Sequence, residues 1–207
     1  MLDAKQALNR LREGNARFTA RSSEKDPCYS PTRHNNLSDK QEPFAVILGC
    51  SDSRVPAEIV FDQGLGDLFV IRVAGNIVAP SQIGSVEFAT CQFKTRLVVV
   101  LGHSNCGAVN ATIEELTSGD ANPSVNIKSI VDRVKPAVQS LLHTDLRNHP
   151  DALRHEAIRA NVRASVNQLK NGSRIIEDMI QNEGLLVIGA EYSLETGQVD
   201  FFDGIPD

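Results

Sequence analysis

Five apolar runs alternate with stretches of helical periodicity along this chain. We interpret the runs as strands, at Phe44–Gly49, Leu68–Val73, Leu97–Gly102, Leu185–Tyr192 and Gln198–Phe202. The first four are apolar nearly throughout, which is typical of strands that helices cover on both faces of a parallel sheet. The fifth is predicted to be an edge strand.

Helices are predicted between and after these strands. Their approximate ranges are Ser81–Phe93, Asn105–Leu116, Ser124–His143, Pro150–Lys170 and Ser173–Gln181. This alternation predicts an α/β fold with a mostly parallel central sheet of four to five strands, flanked by helices, and an N-terminal helical arm. We expect a single domain over residues 1–207, in which 1–40 form the helical arm and a loop and 41–207 form the α/β core.

The N-terminal segment has an amphipathic helical pattern. One face carries Ala4, Ala7, Leu8, Leu11 and Phe18, with Asn15 as an interruption. Two interpretations are open. The apolar face packs on its own domain, or it forms an arm that lies across a second subunit.

Composition narrows the classes of partner. The chain has 207 residues, of which 41% are hydrophobic and 23% charged, enough for a buried core. The net charge of -5 argues against a nucleic-acid surface, and no apolar run reaches the roughly 20 residues that span a bilayer. The cysteines are too few for a disulfide scaffold, so a reducing, cytoplasmic setting is expected. A targeting segment removed before residue 1 would leave no trace in this sequence.

Two groups of metal-binding side chains directly follow the first and third predicted strands. Cys50 opens the segment CSDSR, and His103 and Cys106 lie in HSNC. Because ligands collect beyond the carboxyl ends of strands in an open parallel sheet, we expect these three side chains to converge. Two thiolates and one imidazole suit zinc, which accepts mixed nitrogen and sulfur ligands in a tetrahedral shell. A helix that begins near Cys106 favours its thiolate form.

Each of these residues also has an ordinary structural explanation. A single cysteine that ends a buried strand is commonly a core residue, and an Asp-x-Arg pair is commonly a surface ion pair. The two segments together, each after an apolar strand, favour a metal site. A phosphatase-type thiolate loop is disfavoured, because it needs a longer, glycine-containing run than the three residues between Cys50 and Arg54.

The motifs CSDSRV, GDLFVIRVAGN and GHSNCGA resemble those of β-class carbonic anhydrases, and the resemblance is clearest from about Gln41 to Leu116. It implies one zinc ion per subunit, bound by Cys50, His103 and Cys106, and reversible hydration of CO2 to bicarbonate and a proton. It also implies a subunit that dimerises through its N-terminal helices and a sheet edge. We therefore expect CO2 and bicarbonate as ligands, assembly as a dimer or tetramer, and neither nucleic-acid nor membrane partners.

The resemblance gives Asp52 and Arg54 catalytic roles. Two thiolate ligands cancel the charge of Zn2+, so the nucleophilic water needs help to ionise and to point at CO2. A carboxylate held by the arginine can accept a hydrogen bond from this water, and it can reject anions that have no proton to donate. Asp52 has a second option, since binding the metal itself would close the shell as in a structural site.

Further residues match substrate-binding positions of the family. Gln41 is expected to donate to bicarbonate across the dimer interface, and Gly107 to offer its backbone N–H to the bound anion. The apolar CO2 pocket is expected to include Phe69, Ala74 and Phe88. Cys28 and Cys91 match no ligand position and are predicted to be free thiols.

One family branch has a bicarbonate pocket that pulls the aspartate onto zinc. It needs a tryptophan where this chain has Ile47, although the arginine position matches at Arg72. Because isoleucine lacks the indole N–H, we expect the plant-like, ungated branch, with Asp52 on Arg54 at pH 7 to 8. The alternatives to CO2 hydration are a COS or CS2 hydrolase of the same fold and a non-catalytic zinc or bicarbonate-binding module.

Overall fold

A computed structural model describes residues 2–21, 41–119 and 124–206. Its five strands form one sheet, in the order β2-β1-β3-β4-β5. They are β1 Ala45–Gly49, β2 Leu68–Arg72, β3 Leu97–His103, β4 Leu186–Tyr192 and β5 Val199–Asp203. The first four strands are mutually parallel, and β5 runs antiparallel to β4 at the edge. The sequence therefore predicted the strands, their alternation with helices and the edge position of the fifth.

Helices cover both faces of the sheet. They are α1 Ala4–Thr19, α2 Ala57–Val60, α3 Pro80–Gln92, α4 Gly107–Ser118, α5 Val125–Gln139, α6 Pro150–Asn171 and α7 Arg174–Asn182. Short 3-10 turns lie at Ala74–Asn76, Leu141–His143 and Asp145–Asn148.

One predicted helix was too long. The helix expected to reach His143 ends at Gln139, and the chain then tightens into a 3-10 turn in which His143 N–H bonds to Ser140 O at 3.3 Å. The one-turn helix α2 was not predicted, since four residues show too little periodicity to identify.

Alternate strand residues face two separate apolar layers. On one face, Ile47, Val99 and Ile188 pack with residues of α1 and α2. On the other face, Val46, Val98 and Val187 pack with residues of α3, α6 and α7. This two-sided burial explains why the central strands are apolar at nearly every position.

Helix α1 packs on its own domain, which is the first of the two interpretations. Leu8 and Leu11 are buried in the same cluster as Val60 and Phe61. Asn15 is no interruption of this face, because it is buried and fully used. Its Nδ2 donates to Val60 O at 3.1 Å and Gly197 O at 2.9 Å, and its Oδ1 accepts from Val199 N at 2.9 Å.

Glycine permits the close approach of α6 to the carboxyl end of the sheet. A Cβ atom at Gly102 would lie 2.6 Å from Val162 Cγ2, and one at Gly189 would lie 2.8 Å from Val162 Cγ1. Both distances are too short for packed atoms, so any larger residue would push the helix away from the strand ends. Within the described ranges, no helix has the length and apolar character needed to cross a bilayer.

Replacing Asn15 with alanine should destabilise the protein by about 2–4 kcal/mol, because two carbonyls and one N–H of the backbone lose their partner in a buried place. The midpoint of urea unfolding at a fixed protein concentration measures this change. The control is Asn9→Ala on the exposed side of the same helix, which should shift stability by less than about 0.5 kcal/mol. Equal midpoints for the two variants would show that the Asn15 hydrogen bonds do not stabilise the fold.

Candidate metal centre

Three metal-binding side chains meet at the carboxyl end of the sheet. Cys50 directly follows β1, His103 is the last residue of β3, and Cys106 is the N-cap of α4. The pairing of β1 with β3 places Gly49 opposite Leu101, so the two strands end side by side. The ligand atoms of the three residues lie within 4.8 Å of one another, and all three residues are buried. The sequence predicted this convergence.

The tautomer of His103 suits metal binding. Its Nδ1 lies 2.9 Å from the carbonyl oxygen of Ser104, which can only accept, so Nδ1 carries the proton. The lone pair therefore lies on Nε2, which is fully buried and has no hydrogen bond of good geometry within the described part of the chain. Burial lowers the pKa of His103, but the nearby Cys50 thiolate outweighs it and raises the pKa. A buried imidazole nitrogen with no partner is unfavourable unless a cation binds it.

The surroundings of the two cysteine sulfurs also suit a cation. Hydrogen bonding from the Cys106 thiol is the main cause that lowers the pKa of Cys50 to about 4, and the same contact raises the pKa of Cys106. The backbone N–H of Gly75 donates to Cys50 Sγ at 3.3 Å and further stabilises the thiolate. Metal binding requires both sulfurs to be deprotonated, so a divalent cation would take the place of the Cys106 proton. The donor set thus fits Zn2+.

Gly75 is needed here for its conformation as well as its N–H. Its φ of +70° lies in the left-handed region, and a Cβ atom would lie 3.0 Å from the Cβ of Ala108 on α4. Sequence reasoning missed this contact, although Gly75 is part of the RVAGN segment that carried the family resemblance.

Asp52 and Arg54 form a bidentate ion pair beside the metal-binding cluster. Arg54 donates from Nε to Asp52 Oδ1 at 2.9 Å and from Nη2 to Oδ2 at 2.8 Å, and its backbone N–H adds a third bond of 3.0 Å to Oδ1. These hydrogen bonds hold the pKa of Asp52 well below its usual range. Asp52 Oδ2 lies 3.9 Å from His103 Nε2, so the carboxylate faces the cluster as a charged acceptor.

Arg72 supports the loop that carries these residues. Its Nε donates to Cys50 O at 3.0 Å, and its Nη2 donates to Asp52 O at 2.6 Å. The sequence matched Arg72 to an anion pocket, but it did not predict that backbone carbonyls would occupy the guanidinium. Ile47, the other residue of that comparison, is fully buried in the sheet core.

The predicted substrate residues fall into two separate groups. Gly107 follows Cys106 at the start of α4, and Ala74 precedes Gly75, so both lie beside the metal-binding cluster. Phe69 and Phe88 instead form an aromatic cluster with Phe93, with ring centroids 5.6 to 6.2 Å apart.

Gln41, like Phe69 and Phe88, lies away from the metal-binding cluster of its own subunit. It lines a cleft of about 470 Å3 with Arg10, Phe44 and Phe93 at the amino end of β1. A five-residue strand rises about 17 Å, so Gln41 and Cys50 lie at opposite ends of β1.

Of the two cysteines predicted to be free thiols, Cys91 is an exposed free thiol. Cys28 lies outside the described residues.

Comparisons with known proteins agree with this geometry. A family model described as carbonic anhydrase matches residues 45–199. Carbonic anhydrase 2 of Mycobacterium tuberculosis is 38% identical over 201 residues, which cover 96% of this chain and 93% of that protein. A carbonic anhydrase of Mycolicibacterium smegmatis is 38% identical over 202 residues, covering 97% and 94% of the two chains.

A solved structure supports the fold independently. A β-carbonic anhydrase of the filamentous ascomycete Sordaria macrospora superposes with a TM-score of 0.73 at 25% identity, covering 92% of this chain and 93% of that one. The family model and the relatives both indicate a carbonic anhydrase, and the Cys50, His103 and Cys106 cluster could hold its metal ion. This chain belongs to the β-carbonic anhydrase family, and it is a zinc-dependent enzyme that reversibly hydrates CO2 to bicarbonate and a proton.

Proposed function

We propose that Cys50, His103 and Cys106 hold the catalytic Zn2+ of this carbonic anhydrase. The observation that carries the assignment is the meeting of two thiols and an unpartnered imidazole Nε2 within 4.8 Å. When bound, zinc lowers the pKa of a coordinated water, so that a nucleophile for CO2 is available near neutral pH. Three protein ligands leave the fourth position for that chemistry.

Asp52 is the catalytic carboxylate in this proposal, and Arg54 holds it. The charged carboxylate of Asp52 accepts hydrogen bonds but donates none. It therefore selects a nucleophile whose oxygen still carries a proton, and the hydrogen bond directs the lone pair of that oxygen toward CO2. A metal site that served only the fold would have no use for such an acceptor, which argues against a non-catalytic zinc module. Gly107 contributes its backbone N–H to the product anion, and Ala74 provides apolar surface beside it.

We further propose that Asp52 stays on Arg54 at pH 7 to 8 instead of binding the metal. Leaving Arg54 would break two charge-assisted side-chain hydrogen bonds. The anion pocket that drives this movement in the gated branch lacks its donor here, because Ile47 is apolar and Arg72 already bonds two carbonyls.

Self-association as a dimer or tetramer is proposed to complete the site. The support is the separation of Gln41, Phe69 and Phe88 from the metal-binding cluster of the same subunit, since only another subunit could bring such residues to it. The apolar face of α1 no longer supports this proposal, because its own domain covers it. The superposed Sordaria macrospora enzyme is described as tetrameric.

A cytoplasmic location is also proposed, from the state of the cysteines. The three cysteines in the described part of the chain are free, and two of them are needed as reduced thiols at the metal-binding cluster. A reducing compartment keeps such thiols available.

Removing one ligand should remove the metal. Cys106→Ser and His103→Ala should each retain less than about one-tenth of the wild-type zinc and lose activity, because every ligand contributes to holding a buried cation. Elemental analysis after purification measures zinc per subunit, with Cys91→Ser as the control that keeps full occupancy. A zinc-free Cys106→Ser protein with wild-type turnover would overturn the ligand assignment.

Asp52→Asn should keep zinc and lose about 100-fold or more of the CO2 hydration rate, since an amide can donate where the carboxylate only accepts. Stopped-flow measurement with zinc analysis on the same sample separates the two effects. Asp132→Asn, at an exposed position of α5 where the carboxylate pairs with Lys128, removes the same charge and should leave the rate unchanged. A fully active Asp52→Asn enzyme would rule out the catalytic role.

A shared site predicts complementation between two inactive variants. Asp52→Asn disables the metal centre, and Gln41→Ala disables the group proposed to act on the partner's metal centre. Mixed dimers, isolated with two different affinity tags, should then contain one intact site and recover about half of the wild-type rate. If Gln41 acted within its own subunit, the mixed dimers would show no more activity than the two parent variants. If Gln41 had no role, Gln41→Ala alone would keep the wild-type rate.

A further inference from the structure

Glu195 makes a set of contacts to the metal-binding loop that the proposed mechanism does not use. It lies in the turn between β4 and β5, and its carboxylate accepts from three side chains. Ser104 Oγ donates to Oε2 at 2.8 Å, Asn105 Nδ2 donates to Oε1 at 3.1 Å, and Ser193 Oγ donates to Oε2 at 3.1 Å. Ser104 and Asn105 are the two residues that separate His103 from Cys106.

Ser104 links this carboxylate to the imidazole. Its carbonyl oxygen accepts from His103 Nδ1 at 2.9 Å, which fixes the ring orientation and leaves Nε2 for the metal. Its backbone N–H donates to Tyr192 O at 2.9 Å, and its hydroxyl accepts from Leu194 N at 2.9 Å while donating to Glu195. Every polar group of Ser104 is therefore held by the end of β4, by the turn or by the imidazole.

Asn105 holds an unfavourable backbone conformation next to the second ligand. Its φ of +56° lies in the left-handed region, which costs free energy for a residue with a Cβ atom. The bond from its side-chain amide to Glu195 helps to keep it there. Because Cys106 follows directly, relaxation at Asn105 would move the Cys106 sulfur away from the cluster.

The turn that presents Glu195 is itself anchored. Asn15 of α1 bonds Gly197 O and Val199 N, on the far side of the turn. Within the turn, Gly197 N–H donates to Ser193 O at 2.9 Å. The carboxylate is thus carried by a fixed element, which a positioning group requires.

We infer that Glu195 is a positioning residue for the metal centre, which fixes the Ser104–Asn105 turn so that His103 Nε2 and Cys106 Sγ face one point. The inference rests on the proposed ligand set. Groups that orient metal ligands in this way affect metal affinity by about 10- to 100-fold when they are removed. Glu195 touches neither the metal position nor the substrate in this account, and its hydrogen bonds to this loop run through Ser104 and Asn105. Its charge also lies near Arg54, which helps to lower the pKa of Glu195 after the larger effect of the Ser104 hydrogen bond.

The test is the rate of zinc release from the purified holoenzyme into excess chelator, together with zinc affinity. Glu195→Ala should release zinc at least about 10-fold faster than the wild type. Glu195→Gln should fall between the two, because its amide oxygen can accept from Ser104 while its NH2 group opposes Asn105. The matched control is Glu177→Gln, an exposed acid in the first turn of α7, which should release zinc at the wild-type rate.

A double-mutant comparison and a stability measurement separate positioning from a general structural role. Ser104→Ala should weaken zinc binding. Adding Glu195→Ala to that variant should lower the zinc affinity by a smaller factor than Glu195→Ala lowers it in the wild type. Unchanged zinc release from Glu195→Ala would overturn the inference, even if the zinc-free protein unfolded more easily. If Glu195→Ala fails to fold, zinc release from Glu195→Gln and Ser104→Ala tests the inference in its place, and wild-type rates from both variants would overturn it. Loss of zinc from Cys106→Ser, with retention by Glu195→Ala, would refute this inference alone and leave the ligand set intact.

Discussion

The parallel pairing of β1 with β3 is the constraint on which the metal centre depends. It ends the two strands side by side, so that Cys50 and His103 emerge next to each other at the carboxyl edge of the sheet. The start of α4 then returns Cys106 to the same point. A slip of one residue would exchange the differently shaped side chains of the two apolar layers and would also move Cys50 away from His103. The register of this pairing therefore sets both the core and the metal centre.

Hydrogen bonds to backbone groups hold the loops that follow the strands. Arg72 holds the carbonyls of Cys50 and Asp52, and Gly75 directs its N–H at the Cys50 sulfur. On the other side, Asn15 anchors the turn that presents Glu195 to the His103–Cys106 loop. Without a cation the buried Nε2 of His103 would have no partner, so zinc binding and the stability of these loops should support each other.

The sequence predicted what depends on local pattern. Strand apolarity and helical periodicity identified the sheet, and the position of Cys50 and His103 after strands predicted the cluster that could hold a metal ion. It did not predict the contacts of Arg72 or Glu195, because hydrogen bonds to backbone carbonyls and to residues about 90 positions away leave no periodic signal. Asn15 was misjudged for the same reason, since its partners at Gly197 and Val199 are distant in sequence. Gln41 stays a prediction, because its proposed role requires a second subunit.

A crystal structure of the zinc-loaded enzyme near pH 8, with anomalous scattering recorded at the zinc edge, tests the central claim most directly. The account predicts one zinc peak per subunit, bonded to both sulfurs and to His103 Nε2, with Asp52 still paired to Arg54 and a small molecule as the fourth ligand. A zinc peak at other residues would contradict the ligand assignment. An Asp52 carboxylate oxygen about 2.0 Å from the metal, the usual zinc–oxygen bond length, would contradict the proposed open arrangement.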